Sequence, residues 1–296
     1  MAKNKHLLLI DGENILHQSF HKFEKLKSTD GKPSGAIFGF FKSLHMYINR
    51  FNPDDVYITF DNGHSKHRTE LLPNYKGHRK NISIDYESLQ TQKRIIMKIL
   101  SMLRIKYIYD KHKLYNYEGD DFLAYLILKK FTKEKLTLIS SDKDFNQLLD
   151  KRRVKIYNPR KDELVTEANC KEIFGYEAKE TVDYLIMVGD SSDDIKGIPG
   201  IGPVKARKLL DEYGSLKEYF THHNQADQIE IYQRNLKLID LRFFVGTYKL
   251  RGRLPSKMYT SKEIKKDKFK AICIEYSFSS FMTNEFIKPF IELNTK

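Results

Sequence analysis

Short apolar runs alternate along the chain with longer stretches of helical period. Residues 7–10, 56–60 and 136–139 are dominated by apolar side chains, the pattern of strands buried on both faces of a parallel sheet. Shorter runs at 106–109 and 154–157 predict two further strands. Between them, apolar residues recur every three to four positions over 36–48, over 86–103 (Leu89, Ile96, Ile99, Leu100 and Leu103 on one face) and over 122–128. Residues 11–14 read as a turn, 15–27 as helical in places, and 28–35 as a loop marked by Gly31, Pro33 and Gly35. Residues 181–188 read as a helix or apolar turn, 204–210 as a basic helix and 215–244 as helical. The tail reads as a short helix whose Tyr276, Phe278, Phe281, Phe286 and Phe290 are expected to be core. Strands alternating with helices predict an α/β fold with a mostly parallel central sheet.

The polar residues that interrupt this pattern are acidic at recurring places. Asp11, Asp61 and the pair Asp142 and Asp144 each follow a predicted strand. Open parallel sheets bind ligands outside the carboxyl ends of their strands, so these acids are expected along one edge. Glu118-Gly119-Asp120-Asp121 opens a helix that precedes a strand, so these acids can reach the same edge; Asp190 and Asp193 follow a further apolar segment. Glu118 and Asp121, three apart, share a helix face, with Asp120 turned away by about 100°. One such acid is ordinarily a cap or a solvated turn. Nine on one edge repel one another unless a cation neutralises them. The donors are all oxygen, which suits two Mg²⁺ or Mn²⁺ ions acting on a phosphodiester.

Charge extends this picture. Lys and Arg number 52 against 39 acids over 296 residues, a net charge of +13, which points to a polyanionic partner. Residues 65–113 hold 12 Lys or Arg against 4 acids, the composition of an electrostatic funnel. On that helix Lys93, Arg94 and Lys98 read as a solvated basic face. Gly197, Gly200 and Gly202 precede a helix bearing Lys205, Arg207 and Lys208, and the stretch resembles the hairpin of helix-hairpin-helix DNA-binding modules. Its glycines would let the backbone approach phosphates, and its cations would hold them without reading sequence. The spacing of His64, His67 and His78 fits no common zinc site. Cys170 and Cys273, the only cysteines, read as buried small residues, in keeping with a reducing compartment. No run of 18 apolar residues exists and the first apolar run is too short for a signal peptide, so a cytoplasmic protein without membrane contact is expected.

These segments, in this order, resemble the flap endonuclease/5′→3′ exonuclease family, particularly free-standing bacteriophage 5′-nucleases, some of them ribonuclease H-like. The matching pieces are Ile10-Asp11-Gly12-Glu13-Asn14, Phe60-Asp61-Asn62-Gly63, Tyr75-Lys76-Gly77-His78-Arg79, Glu118-Gly119-Asp120-Asp121, Ser141-Asp142-Lys143-Asp144, and residues 189–202. They span about residues 7–215, and the match is weak beyond 245. The resemblance implies a PIN-like 5′-nuclease fold: a catalytic α/β domain at 1–180 with a helical arch at about 64–104, then a helix-hairpin-helix region and basic helical extension at 181–296. It implies Mg²⁺-dependent cleavage at 5′ ends and single-strand/duplex junctions, leaving 5′-phosphates, in flap and RNA primer removal. Asp11, Asp61, Glu118 and Asp120 would serve one ion, and Asp142, Asp144, Asp190 and Asp193 the other, with Asp120 or Asp121 near both. Lys76 and Arg79 would polarise the scissile phosphate at the arch base, Tyr75 would stack on a terminal base, and the hairpin can hold K⁺.

Branched or 5′-ended DNA and RNA/DNA duplexes are the expected partners of a monomer. The basic stretch 249–270 would extend the duplex contact or bind a replication protein. No polymerase segment follows within the 296 residues, so a free-standing nuclease is expected, in the host cytoplasm if phage-encoded. Gln18 and Asp194 depart from the family pattern, which frequently has a basic or aromatic residue and an Asn there. The alternative, an inactive junction-binding protein, predicts missing acids, and a PIN-type nuclease normally lacks the hairpin.

Overall fold

A computed structural model describes residues 4–61, 63–77, 85–109, 117–223, 225–247 and 263–295. Arg79, His78 and most of the basic stretch 249–270 lie outside the described residues. The centre is a six-stranded sheet of β1 (His6–Asp11), β2 (Asp55–Thr59), β3 (Lys106–Ile108), β4 (Lys135–Ile139), β5 (Val154–Asn158) and β6 (Glu163–Val165), in the order β3-β2-β1-β4-β5-β6. The first five are parallel, and β6 returns antiparallel to β5. In β1, Leu7, Leu8, Leu9 and Ile10 are all buried because helices cover both faces. Leu8 and Ile10 join the core of α1 (Gly12–Lys22), α2 (Gly35–Phe51) and α4 (Tyr86–Met102), while Leu7 and Leu9 face α5 (Gly119–Tyr125).

The α/β architecture and the parallel strands follow the apolar runs. Residues 11–14, read as a turn, instead carry β1 directly into α1. Gly12 allows this: a Cβ there would stand 2.5 Å from the Thr59 carbonyl oxygen, so only glycine brings α1 against the end of β2. The short helix α3 (Lys66–Leu71) and the ribbon of β7 (Gly189–Asp190) and β8 (Ile195–Lys196) have too few residues to show a period.

Beyond the sheet, α6 (Cys170–Phe174) leads to α7 (Thr181–Val188), α8 (Pro203–Tyr213), α9 (Leu216–His222) and α10 (Ala226–Ile239); α7 to α10 share one apolar cluster. Then α11 (Leu241–Thr247) returns to α5 through Leu241 and Val245. The last helices, α12 (Lys266–Glu275) and α13 (Asn284–Leu293), join the core of α2 and α4. Phe281 stacks on Phe38 at 5.3 Å between ring centres, and Lys265 N–H donates to Met102 O at 2.9 Å. The tail aromatics are therefore core, as read. Residues 263–295 pack with the α/β body through this core.

Candidate active site

The strand order places β1 between β2 and β4, and the chain reverses its winding between β1 and β4, where open sheets leave a crevice. Asp11 ends β1 and caps α1, accepting from Asn14 N–H at 3.0 Å and from the Ser140 hydroxyl at 2.8 Å. The amide of Asp142 donates to that same Ser140 oxygen at 3.1 Å, and Asp144 N–H donates to Asp142 Oδ1 at 2.9 Å. Ser140 thus joins the ends of β1 and β4. Asp61, two residues past β2, accepts from Gly119 N–H at 2.6 Å, which draws the start of α5 to the edge. Beside Asp142, Asn14 and Ser141 exchange side-chain hydrogen bonds, and Gln18 donates to both.

The electrostatics divide these acids into two overlapping groups. Burial pushes Asp11 up to about 7, and Asp61 and Asp142 add repulsion. Asp120 is raised well above the carboxylate range by burial and by Asp11, Asp142 and Asp61. Asp142 is raised by burial and by Asp193 and Asp190, and Asp144 rises well above its ordinary value through burial and the charges of Asp142, Asp190 and Asp193. Asp142 belongs to both groups. Asp144 Oδ1 is buried with no hydrogen-bond partner among the described residues. Among these residues no three His, Cys, Asp or Glu side chains close into a ready-made ligand shell. The donor set fits a hard cation that keeps part of its water shell, and the crowded charge and the orphaned oxygen are what such a cation would satisfy.

Glu118 and Asp121 behave differently. As their spacing requires, they share a face, and that face meets Arg68 of α3. Arg68, 4% exposed, donates to Asp121 Oδ1 at 2.8 Å, Asp121 Oδ2 at 3.1 Å and Glu118 Oε2 at 3.0 Å. Asp121 Oδ2 also accepts from Glu118 N–H at 3.0 Å. Both Asp121 oxygens are engaged in a buried fork with Arg68, whereas Asp120, the other acid expected near both ions, is crowded by Asp11, Asp142 and Asp61. Glu118 also receives Tyr75 OH at 3.0 Å, and the Lys76 ammonium stands 3.1 Å away. Burial opposes ionisation of Glu118, but Lys76 and then Arg68 outweigh it and hold the carboxyl at about 2.

Lys76 has φ of 55° and lies 3.9 Å from Asp193, so it sits within the acidic edge, as a phosphate-polarising residue requires. The Tyr75 ring is only 5% exposed, and its hydroxyl donates to Asp193 at 2.8 Å. A base stacking on this ring would need the residue to be uncovered first.

Asp190 in β7 accepts from the Ser192 hydroxyl at 2.7 Å and lies 3.9 Å from Lys143. Gly197 of the hairpin owes its identity to packing, since a Cβ would meet the Met187 carbonyl at 2.2 Å. Gly200 (φ 76°) and Gly202 face open space, as an approaching backbone would need. Lys205, Arg207 and Lys208 are exposed along α8. Sequence reasoning missed Arg68, Ser140 and Asn14; a lone Arg on a six-residue helix carries no periodic signal. It also read Lys93 as solvated, whereas Lys93 is buried against Glu13.

A sheet with this strand order, an acidic crevice and a basic hairpin define a class of phosphodiester-cleaving enzymes, and comparison identifies the family. Residues 6–175 match the family model of the 5′–3′ exonuclease N-terminal resolvase-like domain, and residues 176–242 that of the 5′–3′ exonuclease C-terminal SAM fold. The chain belongs to the 5′–3′ exonuclease/flap endonuclease family, hydrolases that act on the phosphodiester bonds of DNA. It is 33% identical to the 5′–3′ exonuclease of Aquifex aeolicus over 72% of this chain and 71% of the relative. Against DNA polymerase I of Caldicellulosiruptor bescii the identity is 35% over 72% of this chain, which spans only 25% of that polymerase.

Two solved structures share the fold over nearly the whole chain. The bacteriophage T5 D15 protein co-crystallised with metal ions has a TM-score of 0.64 at 18% identity, covering 98% of this chain and 99% of that one. A pseudo-enzyme–product complex of T5 D15 flap endonuclease with DNA and metal ions gives 0.67 at 19%, covering 99% of this chain and 100% of that one. No helix among the described residues is long and apolar enough to cross a membrane.

Proposed function

We propose that this chain is a structure-specific 5′-nuclease that uses two Mg²⁺ or Mn²⁺ ions to cut DNA near 5′ ends and single-strand/duplex junctions. It would act in replication on 5′ flaps and RNA primers, leaving 5′-phosphates. The observation that carries this reading is the pair of overlapping carboxylate groups meeting at Asp142, with too little protein cation to neutralise them. Asp11, Asp61 and Asp120, with Glu118 beside them, would hold one ion; Asp142, Asp144, Asp190 and Asp193 would hold the other. The bound ions would supply Lewis acidity and an activated water.

The chain's own residues do the rest. Lys76, held by Glu118 and Asp193, presents a fixed positive charge to the phosphate, and Arg79 is assigned the same task. The hairpin at Gly197, Gly200 and Gly202 with Lys205, Arg207 and Lys208 would grip the duplex backbone, with K⁺ on its carbonyls. We assign residues 1–180 to catalysis and 181–296 to a duplex-binding helix-hairpin-helix region with its basic helical extension, the protein working as a monomer in the cytoplasm. A partner in the replication machinery would meet the basic stretch 249–270.

The test is a 5′-labelled flap duplex incubated with Mg²⁺ or EDTA beside Asp142→Asn. Cutting near the junction that needs both Mg²⁺ and Asp142 supports the reading. Full cutting by Asp142→Asn, or in EDTA, refutes the two-ion assignment, while tight binding without cutting under any divalent ion refutes the nuclease reading.

A further inference from the structure

Lys93 does not behave as a solvated helix cation. Its side chain is 8% exposed, and its ammonium lies 2.7 Å from Glu13 Oε2. It also donates to the backbone carbonyl of Asp61 at 2.7 Å and lies 5.5 Å from the centre of the Phe60 ring. Glu13 stands in the first turn of α1, two residues after Asp11, and the nearby Asp61 backbone amide favours its ionised form. The main chain of Asp61 is therefore held at its C=O by Lys93, and Lys93 is fixed in turn by Glu13. The Asp61 side chain meets a further fixed group, the Gly119 amide at 2.6 Å.

We propose that the Glu13–Lys93 ion pair is a clasp that positions Asp61, setting where its carboxylate stands at the acidic edge. The need is visible in the charges: Asp61 is a source of repulsion at both Asp11 and Asp120, and a loop residue so placed is pushed outward unless its backbone is held. The polarity of the pair is also informative. A buried ion pair is a poor source of stability compared with an apolar pair of similar size. Here the donor at 93 meets the backbone acceptor of Asp61, and the acid at 13 fixes that donor. The clasp touches neither substrate nor ion; Glu13 and Lys93 are positioning residues. The inference rests on the assignment of Asp61 as a ligand.

The test measures binding of Mn²⁺ alone by titration calorimetry, with urea unfolding as a control for folding. The variants are Asp61→Asn, Glu13→Gln with Lys93→Met, and the exchanged pair Glu13→Lys with Lys93→Glu. The exchange keeps an ion pair but leaves no donor at 93 for the Asp61 C=O. Groups that orient ligands typically change metal affinity about 10- to 100-fold. Folded clasp variants are expected to weaken Mn²⁺ binding by that order, approaching Asp61→Asn. Wild-type affinity in either folded clasp variant, with Asp61→Asn weakened, overturns the clasp and leaves the ligand assignment standing. Unchanged affinity in Asp61→Asn overturns the ligand assignment and the clasp with it. Hydrogen exchange on the unaltered protein serves if the variants fail to fold. A Gly119 amide, which donates to the Asp61 carboxylate, protected like the amides of β2 supports the clasp, and exchange at open-loop rate overturns it.

Discussion

Replacing Arg68 with alanine strands two buried carboxylates at once. The guanidinium makes three hydrogen bonds to Asp121 and Glu118 and a fourth to the Leu238 carbonyl at 3.2 Å, joining α3, α5 and the end of α10. Removing one partner of a buried ion pair costs about 3–5 kcal/mol. An independent figure comes from Glu118, held at about 2 against its ordinary 4.5. At about 1.36 kcal/mol per unit, that shift corresponds to about 3 kcal/mol of stabilisation by Lys76 and Arg68 together. Arg68 is the smaller contributor at Glu118 but the principal cation at Asp121. A loss of about 3–4 kcal/mol at pH 7 follows for Arg68→Ala.

The sign with pH is fixed. A depressed carboxyl stabilises the fold above its unfolded value and loses that contribution as pH falls toward its folded value. Protonation also relieves the stranded acids first in the variant, so the gap between wild type and Arg68→Ala narrows as pH falls from 7 to 4. Urea unfolding followed by circular dichroism measures both. An Asp121→Asn background should absorb more than about 1 kcal/mol of the cost, as expected for directly coupled residues. A loss under about 1 kcal/mol at pH 7, or a gap that does not change with pH, would show that the fork is not what holds these helices together.

Three further outcomes are expected. Lys205→Glu should weaken duplex binding and lower the slope of log K against log salt by about 1 or more, and an unchanged slope in a filter-binding series would remove α8 from the interface. With EDTA present, Asp11 favours its protonated form up to about 7 in the folded state, a contribution present below 3.8 and lost as pH rises through 7. The urea midpoint of the metal-free protein should therefore be lower at pH 8 than at pH 6, a difference that saturating Mg²⁺ should diminish; equal midpoints would argue against the crowding. Gly12→Ala should cost about 2 kcal/mol or more, because the added carbon meets the Thr59 carbonyl and must push α1 away from β2; a wild-type unfolding midpoint would refute that close approach.

The parallel strands were legible because each carries an apolar-rich run, and the acids because strand ends are where such runs stop. Leu7 to Ile10 followed by Asp11 shows both at once. What stayed hidden has no period. Arg68 lies on a six-residue helix, β7 and β8 have two residues each, and Ser140 is one of two adjacent serines whose partners lie 129 and 2 residues away. Lys93 was misread because its charge looks like that of Arg94 and Lys98, and only the fold places Glu13 and the Asp61 carbonyl against it. The spacing of Asp121 likewise could not show its partner. Its face was assigned correctly, but the partner across that face was a cation of the protein.

The acids at and beside the edge fall into two kinds, and the difference bears on mechanism. Glu118, Asp121 and Glu13 have cations supplied by the fold: Lys76 and Arg68, Arg68 alone, and Lys93. Asp11, Asp120, Asp142 and Asp144 are raised by burial and by one another, with only weak relief from Lys76 or Lys143. A chain of net charge +13 has ample lysine to neutralise all of them. Placing the closest cations on the supporting acids rigidifies the start of α5 and the loop after β2 while leaving the crevice electrostatically unsatisfied. Such a site gains stability from a divalent ion in proportion to the repulsion it relieves. Its rigid surround fixes where that ion can stand before any DNA arrives.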